Sequence, residues 1–183
     1  MFCKGNNMIL LVILALIGCG LYFFVARCSK CNVVCCQKKN NKKVSFFIVD
    51  VLDKDIHDDV HIEGAIQVDY MQMSSFLHAL DTNTILVFYC ANYRCTASDD
   101  AAKLAAEMGF KKVYLYKGGI AEWYQKSKTD KRFTWEGPAL SPWLEVVILP
   151  SVEDDNQNIS GVTIIDAEDL LKMREKSIIE DKI

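Results

Sequence analysis

The chain has 183 residues, a net charge of −3 and 51% hydrophobic residues. This length suits one ordinary domain with additions and leaves little room for two full domains. The small net charge gives no electrostatic reason to expect nucleic acid as a partner.

The first distinctive segment runs from Met8 to Ala26 and contains no charged residue. As a helix it would span roughly 28 Å, about the thickness of the hydrocarbon core of a bilayer. We therefore predict a transmembrane helix at residues 8–26, after a leader at residues 1–7. The alternatives are a lipoprotein anchored at Cys19 and a cleaved secretory signal. Against them, the apolar run continues beyond Cys19, and Phe24 makes a poor cleavage site.

Residues 27–44 form a linker that is rich in cysteine and lysine and has no periodicity. The excess of positive charge after residue 26 predicts that the rest of the chain faces the cytoplasm. Four cysteines in the linker have spacings that suit zinc, namely Cys28, Cys31, Cys35 and Cys36. The alternative is that they are free or acylated, with the lysines against acidic lipid headgroups. No matching ligand group follows, so neither a metal nor a cofactor is predicted.

Apolar runs then alternate with polar stretches in the rhythm of an α/β domain around a parallel sheet, placed at residues 45–137. The predicted strands are Phe46–Val49, a short strand after Gly64, Ile85–Tyr89 and Val113–Tyr116. Of these, Ile85–Tyr89 is apolar without alternation, which is typical of a strand buried on both faces. The predicted helices are a short one capped by Ser74 or Ser75, one from Ser98 to Gly109, and one at residues 120–126 after Gly118-Gly119.

Cys90 lies directly after the strand predicted to be buried. The carboxyl ends of parallel strands, facing the N-termini of helices, are where α/β sheets bind ligands. Backbone N–H groups at such a helix start stabilise negative charge, so we predict a reactive thiol with a lowered pKa. The residues predicted to line the loop around it are Ala91, Asn92, Tyr93, Arg94, Thr96, Ala97 and Ser98. The alternative is that Cys90 only fills space at the end of a strand.

Between about residues 45 and 135 the chain resembles the rhodanese-like family. The resemblance rests on motifs in the family's order, namely Ile48-Val49-Asp50-Val51, His61-Ile62-Glu63-Gly64-Ala65-Ile66, Phe88-Tyr89-Cys90, Ala101-Ala102, Gly109-Phe110 with Val113-Tyr114, Gly118-Gly119 and Glu122-Trp123. It implies a sulfurtransferase, in which Cys90 would take sulfane sulfur from a small donor as a persulfide and pass it to a thiol acceptor. A membrane-tethered binding or thiol-redox module without catalysis is the alternative function.

The loop departs from the family pattern. The family's cysteine, four residues, arginine and serine are replaced by a loop two residues longer, with Ala97 where the arginine stands and Arg94 earlier in the loop. Glu63 replaces the usual proline. Binding of an anionic donor such as thiosulfate is therefore in question, with Arg94 as the candidate substitute. Thr96 stands where a phosphatase of this fold needs its arginine, which argues against phosphatase chemistry.

Cys95 is the second cysteine of the loop. It is a candidate resolving thiol that attacks a Cys90 persulfide and leaves an intraloop disulfide. The alternative, weighed equally, is that Cys95 is a packing residue of a variant loop. The histidines suggest no other chemistry: His61 is expected to hold the turn before Gly64, and His57 and His78 to lie at the surface.

Residues 138–183 form a C-terminal extension, with a strand at residues 162–165 and a helix from Ala167 to about Lys176, capped by Asp166. Rhodanese-like domains usually begin with a strand and a helix that are missing here before residue 45. One hypothesis is that residues 161–176 dock on the same sheet and supply that element. The alternatives are an independent appendage and part of a second domain. Nothing in the sequence indicates the oligomeric state.

Overall fold

The computed structural model of the chain describes residues 45–147, 150 and 158–181. The predicted membrane helix at residues 8–26, the alternative anchor Cys19 and the cysteines of the linker lie outside these ranges. Within the described residues, every helix is too short or too polar to cross a membrane.

Strands and helices alternate through the described part of the chain. In order they are β1 Phe46–Asp50, α1 Lys54–Asp59, β2 His61–Ile62, β3 Ile66–Gln67, α2 Tyr70–His78, β4 Ile85–Tyr89, α3 Ala97–Glu107, β5 Lys112–Tyr116, α4 Gly119–Ser127, β6 Trp135–Glu136, a 3₁₀ turn Pro142–Glu145, β7 Val162–Ile165 and α5 Ala167–Asp181.

The main sheet has five strands in the order β3-β1-β4-β5-β7, and every neighbouring pair is parallel. Strands β2 and β6 form a separate antiparallel pair. The predicted α/β fold with a parallel sheet is therefore confirmed. The central strand β4 is buried over its last four residues, as expected for a strand covered on both faces. Residues that follow β4 and β5 lie at the same edge of the sheet.

Two helices begin at residues other than those predicted. Helix α2 starts after Asp69, whose carboxylate accepts a hydrogen bond from the Met71 amide at 2.8 Å, so a cap at Ser74 or Ser75 was wrong. Helix α3 starts at Ala97 after Thr96, so the cap predicted at Ser98 was also wrong. Both errors have one cause, since a polar residue near a helix start need not be the one that meets the first free amides.

The C-terminal segment contributes to the main sheet. Strand β7 pairs in parallel with β5, with Val162 opposite Val113 and Ile165 opposite Tyr116. Helix α5 buries Ala167, Leu170 and Leu171 in the same apolar cluster as the residues of β4. Its Arg174 forms an ion pair with Glu63, in the turn after β2. The last strand and helix thus share one sheet and one core with residues 46–144.

Asp166 caps α5, because its carboxylate accepts a hydrogen bond from the Asp169 amide at 2.8 Å. We expect Asp166→Ala to lower the free energy of unfolding by about 1 kcal/mol, since an amide of the first turn loses its acceptor. Asp166→Asn keeps an acceptor at the same place and should stay near the wild type. Urea unfolding of the three proteins checks this, and equal losses in both variants would contradict the capping role.

Candidate active site

Cys90 follows β4 directly and is fully buried. Its Sγ lies 3.3 Å from the carbonyl oxygen of Cys95 and 3.8 Å from that of Asn92. The hydroxyl of Ser98, in the first turn of α3, donates to the same sulfur at 3.2 Å. Ser98 thus donates its hydroxyl hydrogen bond to the Cys90 sulfur and does not cap the helix. Strand end, loop and helix start converge on Cys90, as the sequence predicted.

The loop at residues 91–96 is held by its own backbone and by α4. Asn92 forms the turn, since its carbonyl accepts from the Cys95 amide at 3.0 Å and its side chain from the Arg94 amide at 3.0 Å. From α4, the amide of Ile120 donates to the Cys90 carbonyl and that of Ala121 to the Ala91 carbonyl, both at 3.0 Å. The start of α4 therefore fixes the backbone on which the thiol sits.

The two loop cysteines are in contact, with the Cys90 sulfur 3.3 Å from the Cys95 carbonyl oxygen, and their pKa values shift in opposite directions. Cys95 is partly exposed, and a hydrogen bond with the Cys90 thiol, followed by bonds from the amides of Ala97 and Ala91, lowers its pKa to about 6. The same bond and burial raise the pKa of Cys90, although Ser98 opposes the shift. The lowered pKa expected for Cys90 is found instead at Cys95, which has more solvent and more amides around it.

The remaining loop residues predicted for the site lie at the surface, in α3 or against α4. Arg94 and Thr96 are exposed, and the Arg94 guanidinium forms no ion pair with the described residues. Ala97 lies inside α3. Tyr93 turns towards α4, where its hydroxyl donates to Glu122 at 3.2 Å.

Glu122 connects the loop to the end of β5. Its Oε2 accepts hydrogen bonds from Tyr93 at 3.2 Å and from Tyr116 at 2.9 Å. Burial, and then the nearby carboxylate of Glu122, raise the pKa of Tyr116, so this hydroxyl stays a donor at neutral pH. Tyr93 and Glu122 also line a surface cavity of about 290 Å³ with Lys126 and Thr129. A small polar compound has room there beside the loop.

A buried ion pair also ties the end of β5 to the start of α3. Lys117 donates to both carboxylate oxygens of Asp99, at 2.9 and 2.8 Å, and the two residues are only 5% and 8% exposed. Sequence reasoning missed Lys117 and therefore this ion pair. The available signal was a basic residue at the sheet edge where an acidic helix start is also expected.

A second buried network surrounds Asp50, at the end of β1. Its carboxylate accepts hydrogen bonds from the Tyr89 hydroxyl at 2.9 Å and the Leu52 amide at 3.0 Å, and His57 Nδ1 lies 2.8 Å away. The His57 side chain is only 13% exposed, so its assignment to the surface was wrong. Its ring stacks on that of His61, with centroids 3.8 Å apart. The buried carboxylate explains why this histidine turns inward.

A family model and related sequences identify one family. A family model described as "Rhodanese-like domain" matches residues 35–126. The thiosulfate sulfurtransferase GlpE of Shewanella oneidensis is 32% identical over 78 residues, which cover 43% of this chain and 75% of that protein. The protein of the same name from Pseudomonas fluorescens is 32% identical over 76 residues, covering 42% and 68%. Among solved structures, the Alr3790 protein from Anabaena sp. is 28% identical, with 51% and 68% covered and a TM-score of 0.43.

Proposed function

The chain belongs to the rhodanese-like family, and we propose that it is a membrane-anchored sulfurtransferase that carries sulfane sulfur as a persulfide on Cys90. The observation that carries this proposal is the placement of Cys90. A thiol at the carboxyl end of the central strand accepts a hydrogen bond from the hydroxyl of Ser98, in the first turn of a helix. The same hydroxyl would be the hydrogen-bond donor to a persulfide on Cys90.

In the proposed reaction the Cys90 sulfur attacks the sulfane sulfur of a donor. The S–S bond of the donor breaks, its remaining part leaves as an anion, and Cys90 becomes a persulfide. A thiol acceptor then attacks the terminal sulfur and restores the Cys90 thiol.

Cys95 is the proposed resolving thiol. Its carbonyl oxygen lies 3.3 Å from the Cys90 sulfur, and its pKa of about 6 keeps it largely as thiolate at neutral pH. A thiolate in that position attacks the Sγ of a Cys90 persulfide, releases sulfide and leaves a Cys90–Cys95 disulfide, which a thiol reductant reopens.

The donor class follows from the charges near the loop. Thiosulfate is a dianion, and Arg94 is the nearest arginine in sequence but extends into solvent. Lys117 is already paired with Asp99. A donor that carries less negative charge than thiosulfate therefore suits this loop better.

The location at the membrane rests on the apolar segment at residues 8–26. Lysines and an arginine follow that segment closely, which supports a catalytic domain on the cytoplasmic side. Sulfur transfer would then take place at the inner face of the membrane, between small-molecule donors and thiol acceptors.

The test is to incubate the full-length chain separately with thiosulfate, polysulfide and glutathione persulfide, and to map added sulfur by peptide mass spectrometry. We expect sulfur on Cys90 with at least one donor, and none at that position in Cys90→Ser. A wild-type chain that takes up no sulfur at Cys90 from any donor would contradict the proposal. If it instead formed only a Cys90–Cys95 disulfide, a thiol-redox module would be the better description.

A further inference from the structure

The two loop thiols differ in how a donor can reach them. Cys90 is fully buried beneath the loop, whereas Cys95 is partly exposed. A sulfur donor arriving from solvent therefore meets Cys95 first. For Cys90 to react directly, the loop has to move away from α4, to which the Cys90 and Ala91 carbonyls are bonded.

The two thiols also differ in the groups that stabilise an anion. The Cys90 thiol, followed by the amides of Ala97 and Ala91, lowers the pKa of Cys95, so the loop favours an anion on that sulfur. The nearby carboxylate of Asp99 opposes a charge there, but Lys117 is bonded to both of its oxygens. With a pKa of about 6, Cys95 is thiolate by about ten to one at pH 7, and the thiolate is the nucleophilic form.

We propose that Cys95 is the entry thiol of the loop, which takes the sulfane sulfur from the donor and hands it to Cys90. This inference rests on the proposed function and adds a step ahead of the Cys90 persulfide. Cys95 thereby becomes a catalytic residue in both directions, receiving sulfur before Cys90 and acting as the resolving thiol afterwards.

The relay has two balanced steps. In the first, the Cys95 thiolate attacks the terminal sulfur of a persulfide donor, whose S–S bond breaks to release a thiolate, and Cys95 becomes a persulfide. In the second, the Cys90 sulfur attacks that terminal sulfur. The S–S bond on Cys95 breaks, the Cys90 proton passes to the Cys95 sulfur, and Cys90 carries the persulfide. No oxidant is consumed, because one S–S bond forms for each that breaks.

The packing of the loop fits the second step. The Cys90 sulfur lies 3.3 Å from the carbonyl oxygen of Cys95, so the two cysteines are packed together and the sulfur has a short distance to pass. On arrival the sulfur meets the Ser98 hydroxyl, which donates to the Cys90 sulfur at 3.2 Å. A persulfide anion on Cys90 is thus better shielded from solvent than one on Cys95.

The test is single-turnover loading of the full-length chain with glutathione persulfide. Peptide mapping measures the sulfur added to Cys90 and to Cys95 over time. We expect Cys90→Ser to accumulate a persulfide on Cys95, and Cys95→Ser to load Cys90 slower by about tenfold or more at pH 6.5. Loading of Cys90 at the wild-type rate in Cys95→Ser overturns the relay and leaves the proposed function standing. A wild-type chain that never carries sulfur on Cys90 overturns both the relay and the proposed function.

Two further measurements separate catalysis from a structural effect of the substitution. The loading rate of the wild type should rise through pH 6 and level off above pH 7, following the Cys95 thiolate, whereas that of Cys95→Ser should keep rising to higher pH. In the unmodified wild type, iodoacetamide at pH 6.5 should alkylate Cys95 before Cys90. Prior alkylation of Cys90, or identical pH profiles, overturns the relay.

Discussion

Gly119→Ala is expected to lower the free energy of unfolding by about 3 kcal/mol or more, and to prevent sulfur loading of Cys90. Gly119 begins α4 with φ +63. A Cβ there would lie 2.6 Å from the Ala91 carbonyl carbon and closer still to the Cys90 carbonyl oxygen. These are backbone atoms of the active loop, so they can move only if the loop leaves α4. The left-handed conformation costs about 1 to 2 kcal/mol and the overpacking about 1 to 3 kcal/mol more.

Gly64→Ala is the matched control for this substitution. Gly64 has φ +80, but a Cβ added there meets nothing within 4 Å. Only the backbone penalty of about 1 to 2 kcal/mol remains, and Cys90 should load as in the wild type. Urea unfolding and persulfide mapping on both variants measure the difference. Equal losses of stability, or normal loading in Gly119→Ala, would show that contact with the loop backbone does not matter.

The sheet was predictable because its strands carry a strong local signal. Five β-favouring apolar residues at Ile85–Tyr89 indicated a strand covered on both faces, and the structure makes it the central one. The position of Cys90 at its carboxyl end followed directly. Helix interiors were also predictable, since Ala101 and Ala105 are buried on one face of α3, and Gly109 ends that helix with φ +88.

Features that depend on long-range partners were not predictable. Ser98 has the residue type of a helix cap, but a buried sulfur eight positions earlier takes its hydroxyl. His57 lies in a run of charged residues, and only the buried carboxylate of Asp50, seven positions away, turns it inward. Local sequence carries residue type and period, whereas these contacts depend on how distant segments meet.

The distribution of charge between the loop thiols was missed for the same reason. Sequence position favours Cys90, since it follows the central strand. The structure surrounds Cys95 with the amides of Ala91 and Ala97, and neutralises the nearby Asp99 with Lys117 from a different strand. The lowered pKa therefore belongs to Cys95 and not to Cys90, the cysteine at the end of the strand.

Strand β5 links the C-terminal segment to the active loop. After its carboxyl end come Lys117, which is paired with Asp99, and the start of α4, where the amides of Ile120 and Ala121 hold the loop backbone. Along the edge that faces away from β4, β5 pairs with β7 over four residues. Loss of β7 would leave this edge of β5 unpaired. We therefore expect it to loosen both the Lys117–Asp99 ion pair and the backbone hydrogen bonds from α4 that hold Cys90.

Deleting residues 158–183 is accordingly expected to lower the free energy of unfolding by on the order of 5 kcal/mol, a large share of the stability of an ordinary domain. The deletion removes β7 and the fully buried Leu170 and Leu171, and it leaves Glu63 without Arg174. Urea unfolding of the full and shortened chains, with persulfide mapping of each, measures the loss. A shortened chain that keeps the wild-type midpoint and loads Cys90 normally would mean that β7 and α5 are a dispensable addition.

Two substitutions in α5 separate loss of the core from loss of chain length. Leu170 is fully buried, so Leu170→Ala should cost about 2 to 5 kcal/mol through the lost contacts and the cavity left behind. Ile179, in the same helix, is 59% exposed, and Ile179→Ala should change stability by no more than about 0.5 kcal/mol. If Leu170→Ala is as mild as Ile179→Ala, the helix does not hold β7 against β5. A large loss confined to Leu170→Ala would instead show that the C-terminal helix supports the strand on which the active loop depends.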